Sequence, residues 1–116
     1  MIFKIVPCAD WLAAEREGHF EGSEHDRRDG FLHFSTASQL AETLARHYAE
    51  MDDLWLLAVD ETNLGSDLKW EFSTSRGERL PHLYGALNTS AVKWKHRLAR
   101  DAQGRHIIPA MALTRA

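Results

Sequence analysis

Apolar residues recur along this chain in two rhythms, every second position and every third or fourth, and the switches between them predict its elements. Ile2 to Val6 is apolar except for Lys4 and stops at Pro7, which reads as a first strand. Asp10 then stands in the first turn of a short helix through Trp11, Leu12, Ala14 and Glu15, with Gly18 as its stop. From His19 to Arg28, broken by Gly22-Ser23, charges mix without a core-building pattern, which predicts a loop bordering a site. Phe31 to Thr36 alternates again, so His33 and Ser35 share one strand face. Thr36-Ala37-Ser38-Gln39 has the form of a capping box. Behind it Ala37, Leu40, Ala41, Leu44, Ala45 and Tyr48 fall on one helical stripe, closed by Met51-Asp52-Asp53.

Leu54 to Val59 is apolar without interruption, the mark of a strand covered on both faces. A polar turn through Asp60–Asp67 leads to Leu68, Trp70 and Phe72, alternating with Lys69, Glu71 and Ser73. Ser75 to Arg79 reads as a loop, and Pro81-His82-Leu83-Tyr84-Gly85 as an imidazole and aromatic cluster between turn formers. Val92, Trp94, His96 and Leu98 alternate with Lys93, Lys95 and Arg97. A turn at Asp101-Ala102-Gln103-Gly104 leads into His106-Ile107-Ile108, and the residues after Pro109 are expected to fray. About six strands with two main helices among them make an α+β fold with a mixed or antiparallel sheet, one domain over residues 1–116.

Composition narrows the partners. Seventeen acids against fourteen bases, net −3, leave no general basic face for nucleic acid. Lys93, Lys95, Arg97, Arg100 and Arg105 cluster, and the ordinary reading is a solvated strand face. The single cysteine, Cys8, excludes a disulfide framework and a multi-cysteine zinc site, and is read as packing. No apolar run approaches the ~20 residues that span a bilayer, and the N-terminus lacks a signal-peptide layout, so a cytoplasmic protein is expected. The expected partner is a small nucleotide ligand, with no nucleic acid and no membrane, for a monomer or weak dimer.

The chemistry-bearing residues are fewer. His33 with Ser35 on its strand face can grip a ribose or phosphate through paired hydrogen bonds, with Thr36 adjoining. A two-histidine phosphoesterase would need a second His-x-Ser or His-x-Thr, and no other histidine has one. Glu71 between Trp70 and Phe72 reads as a partly desolvated carboxylate with a raised pKa, suited to acid–base work. His82 and Tyr84 offer an imidazole and a stacking ring on one face, and Arg76 beside Gly77 a guanidinium for phosphate. Seven histidines include no His-x-x-x-His pair; His19 and His25, near Asp26 and Asp29, read as incidental loop residues, so no metal is expected. Gly-rich phosphate loops, Gly-x-Ser-x-Gly elbows and Cys/His dyads are absent.

Asp29 to Thr36, Gln39-Leu40, Trp70-Glu71 and Pro81 to Gly85, in that order, resemble the bacterial domain-of-unknown-function family 952. The resemblance implies a fold similar to the ADP-ribosyltransferases, in which a strand histidine followed by a small residue and Ser or Thr holds a ribose of NAD. His33 and Ser35 match that element, with Phe34 where glycine is usual. It therefore implies His33 and Glu71 as catalytic groups, the latter at an oxocarbenium-like centre. Ser35, Thr36, Arg76, His82 and Tyr84 would bind ligand. NAD would be the substrate of an ADP-ribosyl transfer or hydrolysis, and no cofactor is required. Glu71 precedes Tyr84, whereas the superfamily's glutamate follows its tyrosines, so a non-catalytic binding module is the alternative. A metal-dependent hydrolase using the loop histidines and aspartates is a third reading.

Overall fold

The structure is a computed structural model in which residues 1–113 are described. In chain order the elements are β1 (Ile2–Pro7), α1 (Cys8–Glu17), β2 (His19–Phe20), α2 (Glu24–Asp29), β3 (Leu32–His33) and α3 (Leu40–His47). There follow β4 (Leu54–Val59), β5 (Leu68–Ser73), β6 (Glu78–Leu83), β7 (Leu87–Asn88), β8 (Val92–Arg97), β9 (Ala99–Arg100), β10 (His106–Ile107) and α4 (Ala110–Leu113). All strand pairs among them are antiparallel.

The uninterrupted apolar run is the centre of the molecule. β4 pairs with β1 on one side and β8 on the other, and Leu54, Leu56, Leu57, Ala58 and Val59 are fully buried. Side chains alternate across the sheet, so each face has its own core. Leu57 and Val59 meet Ile2, Val6, Trp11, Phe20, Leu32, Phe34 and Leu83 on one face. Leu54, Leu56 and Ala58 meet Phe3, Ile5, Leu40, Leu44 and Tyr48 on the other. Of the predicted helical stripe Leu40, Leu44 and Tyr48 are buried, whereas Ala41 and Ala45 are exposed, and the capping box at Thr36 opens the helix through one 3-10 turn, Ala37–Gln39.

A second sheet, in the order β3-β6-β5, stands beside the first. Ser35 and Phe3 exchange two backbone hydrogen bonds of 2.8 Å and join the two sheets. Pro81 lies in β6, the central strand, where a missing donor ordinarily breaks a ladder. Its carbonyl accepts from Phe34 N–H at 3.0 Å, so its nitrogen faces that same side, where β3 has already ended at His33. Only the reciprocal bond to the Phe34 carbonyl is forgone, at the frayed end of the β3–β6 ladder.

Four expectations need correction. The stretch from His19 to Arg28 is not a loop: it holds β2 and α2 and buries Phe20 and Asp26. Its signal was the polar capping box of Ser23 and Asp26, invisible to a search for apolar periodicity. The loop after Ser75 ends earlier than expected, since β6 begins at Glu78. The elements are shorter and more numerous than six strands and two helices, because several pairs span two residues. Ala110–Leu113 forms a helical turn whose Ala112 is buried, while Thr114–Ala116 lie outside the described residues. Four of the five residues of the basic cluster are paired: Lys95 bridges Glu15, Arg97 Asp53, Arg100 Asp52 and Arg105 Asp101. Among the described residues no helix is long and apolar enough to cross a membrane.

Candidate functional site

Side-chain parity in β1 sets the site. Lys4 shares a face with Ile2 and Val6, which forces an ammonium into the core at 1% exposure. Its Nζ donates to Asp26 Oδ1 at 3.0 Å and to the His33 carbonyl at 2.9 Å. Asp26, 2% exposed, also accepts from the Ser23 backbone N–H and hydroxyl, from the His33 N–H, and from His33 Nδ1 at 2.7 Å. Gly22 packs so closely here that a Cβ would fall 2.9 Å from that of Asp26, and its φ of +117° disfavours a side chain. Burial pulls the Lys4 ammonium below its usual range, and Asp26 opposes that. Burial would raise the Asp26 carboxyl, but the His33 hydrogen bond and the Lys4 charge outweigh it and hold it well below the carboxylate range.

His33 is thus fixed at its backbone and at one ring nitrogen. Its other nitrogen, Nε2, lies 2.8 Å from Asp29 Oδ2. Only a ring with a proton on each nitrogen donates to both carboxylates at once. Gly30, at φ +86°, ends α2 in the left-handed conformation and turns the chain towards Phe31 and His33.

A cleft of about 240 Å³ opens over this ring. Four histidines meet there or beside it: the His25 and His33 rings stack at 4.0 Å, His47 lies 4.6 Å from His25, and His82 lies 5.8 Å from His33. Burial, then the neighbouring His33 charge, lowers the pKa of both His25 and His47. The lining also includes Thr43, Arg46, Ser73, Ser75 and Arg76, and Asp29 supplies its one carboxylate.

The residues singled out from the sequence divide accordingly. His33, Ser35, Arg76 and His82 line the cleft; Glu71, Tyr84 and Thr36 do not. Ser35 shares a 2.8 Å hydroxyl contact with Thr43. Arg76 is held by several partners at once. Its side chain is 5% exposed, donates to Thr43 Oγ1 and the Gln39 carbonyl at 3.1 Å each, and its Nε sits 3.0 Å from Glu42 as an ion pair without hydrogen-bond alignment. Thr36 acts as a helix cap, its hydroxyl 3.2 Å from that of Ser38. Glu71 Oε1 accepts from Tyr84 Oη at 2.6 Å and from His82 Nδ1 at 2.8 Å. Those two bonds, Tyr84's first, lower the Glu71 pKa, the reverse of the rise expected from its aromatic neighbours. Burial lowers the His82 pKa against the pull of Glu71, and Phe31 stacks on its ring at 3.9 Å.

Sequence reasoning missed Lys4, Arg46 and His47, and named Asp26 and Asp29 only as loop residues beside His19 and His25. Lys4 could have been found by its parity in an otherwise apolar strand. Reading α2 as a loop hid that both aspartates face His33.

Fold and site together define a small α+β protein with a histidine-lined cleft where two antiparallel sheets meet. The chain belongs to the family described as protein of unknown function DUF952, whose model matches residues 5–95. Every cleft-lining histidine falls within the matched stretch. The fold is similar to the crystal structure of CC0527 from Caulobacter crescentus, at 42% identity and TM-score 0.91, covering 97% of this chain and 98% of that one. A crystal structure of a double mutant of CC0527 gives the same values. The solution NMR structure of CC0527 matches at 46% identity and TM-score 0.79, over 90% of this chain and 89% of that one. No curated protein matches.

Proposed function

We propose that the cleft around His33 binds NAD or a related ADP-ribose-type ligand through ribose hydroxyls and phosphate. The observation that carries this reading is the convergence of His33, Ser35, Arg76 and His82 on one cleft with Arg46 and a single carboxylate. Guanidinium and imidazole donors around the one lining carboxylate favour a phosphorylated ligand, with Glu42 pairing both Arg46 and Arg76 from outside the lining. The volume, below the ~300–1,000 Å³ usual for whole ligands, suits one ribose–phosphate portion. The rest of a dinucleotide would extend past Phe31 towards Tyr84, whose rings lie 5.3 Å apart. The similarity of His33-Phe34-Ser35 to the ribose-holding element of the ADP-ribosyltransferases supports the same ligand class.

Transfer or hydrolysis of such a ligand breaks the bond between the ribose anomeric carbon and nicotinamide, and develops positive charge on the sugar. His33 grips the ribose hydroxyls in this reading. Asp29 is the carboxylate within reach of that charge, and Glu71 acts through His82. A non-catalytic binding module is the second reading, favoured by a Glu71 carboxylate held by Tyr84 and His82 outside the cleft lining.

Calorimetric titration with NAD, ADP-ribose and nicotinamide tests the ligand. Saturable heat with ADP-ribose, weakened at least about tenfold in His33→Ala by loss of a charged hydrogen bond, is expected. Absence of heat at millimolar ligand in the wild type sinks the proposal. Nicotinamide release from NAD separates the readings: release lost in Asp29→Asn supports the enzyme, and binding without release supports the module.

A further inference from the structure

The sequence spacing led to an expectation of no metal, but it was read with His25 and Asp29 in a loop. They stand four residues apart on α2, one helical turn, and so share a side of that helix. Gly30 then reverses the chain and β3 brings His33 against them. One ligand atom from each of His25, Asp29 and His33 lies within 4.8 Å of the others. We propose that these three residues form a site for a zinc-type divalent transition-metal ion on the α2 side of the cleft.

The donor set fits that class. Two imidazoles and one carboxylate suit zinc, cobalt or ferrous iron, and a hard ion such as calcium would ask for more oxygens. Three protein ligands leave coordination positions open to the cleft, the pattern of sites that take a substrate oxygen or water, not of closed structural sites.

An independent observation concerns what holds His33. Metal-binding histidines ordinarily donate their remote ring N–H to a carboxylate, which fixes both tautomer and ring orientation. His33 Nδ1 already does this to Asp26 at 2.7 Å, and Asp26 is itself anchored by Lys4. Nε2 is therefore the ligand atom, and it points at Asp29 Oδ2, 2.8 Å away. An entering cation replaces the proton that bridges these two atoms; the N–H bond breaks, the metal bonds form, and the proton leaves to solvent. Arg28 lies 2.8 Å from His25 Nδ1 and 4.0 Å from Asp29 Oδ1, so an exposed guanidinium stands against two of the three ligand residues and competes with a cation there. A second group, Glu17, His19 and Glu21, also gathers three ligand atoms, but all three residues are exposed, and no carboxylate pins the His19 ring from behind. It serves as the internal control.

The test needs metal alone, so its outcome is separable from that of the ADP-ribose titration. Metal-free protein is titrated with Zn²⁺ by calorimetry and with Co²⁺ by visible absorption. The expected result is one ion per chain with cobalt bands of a low-coordinate N/O site. Affinity falls at least about tenfold in Asp29→Ala and His25→Ala, and is unchanged in His19→Ala. Arg28→Ala binds more tightly, because a competing cation is gone; loss of fold cannot mimic that gain. Absence of saturable binding in the wild type overturns the proposal. So does binding that survives Asp29→Ala and His25→Ala or disappears in His19→Ala.

Discussion

Two imidazole–carboxylate pairs face the same cleft, and what stands behind each carboxylate separates them. Behind His33 the Asp26 carboxylate is dry and accepts five hydrogen bonds, one from a buried ammonium. Behind His82 the Glu71 carboxylate is 41% exposed and held by one phenol besides the imidazole. The contact distances are nearly equal, 2.7 and 2.8 Å. Their energetics are not, because an unpaired charge in the core has no water to turn to, whereas an exposed one does. The first pair fixes the site as part of the fold; the second adjusts the proton affinity of one ring.

The largest expected effect comes from breaking the first pair. Asp26→Asn leaves Lys4 charged, buried and without its counter-ion, and is expected to destabilise by about 3–5 kcal/mol, read in urea unfolding. Lys4→Met with Asp26→Asn should cost clearly less than the sum of the single changes, since each single variant strands the other's charge. Additive losses would mean that the two residues do not act as one unit.

Next comes pH. The folded-state pKa of Asp26 is depressed, so its contribution is complete above about pH 4, its unfolded value, and drains as pH falls towards the folded value. In that window the unfolded chain binds more protons, so stability rises with pH. Asp26→Asn should flatten this acid limb in a series of denaturation curves. The lowered His25, His47 and His82 add a gentler loss of the same sign, beginning as pH drops through about 6.5, the unfolded histidine value. An acid limb identical in wild type and Asp26→Asn contradicts the first pair's role.

The second pair should respond in titration and little in stability. Glu71→Gln removes the group that raises His82, so the His82 pKa should fall further in an NMR titration while the unfolding midpoint hardly moves. Tyr84→Phe should give the smallest effect, a rise in Glu71 as its foremost hydrogen bond is lost. A large stability loss in either variant would erase the contrast between the pairs.

The same contrast explains what the chain disclosed before its structure was known. Apolar periodicity located β1, β4 and α3, which bury regular residues, and β5 and β8, whose alternating Leu68, Trp70, Val92 and Trp94 are half-buried against the cores. The capping box at Thr36 and the stop at Gly18 were legible because caps are local chemistry. His33, Ser35, Arg76 and His82 were found through residue types near turns and strand ends. Asp26 was read as an exposed loop residue because a buried charge carries no apolar signature, and its partner lies 22 residues away in a strand that pairs elsewhere. Glu71 was misjudged because its aromatic neighbours in sequence leave it by alternation, whereas Tyr84 and His82 reach it from β6 and the turn beyond.

The central claim is that the ring held by Asp26 is the floor of a ligand site. A titration of isotope-labelled protein with ADP-ribose, followed through backbone and imidazole resonances, tests it most directly. Saturable shifts at His33, Ser35, Arg76 and His82, with the paired basic face at Lys95 and Arg97 unmoved, are the predicted result. Shifts confined to that basic face, or none at millimolar ligand, would contradict it.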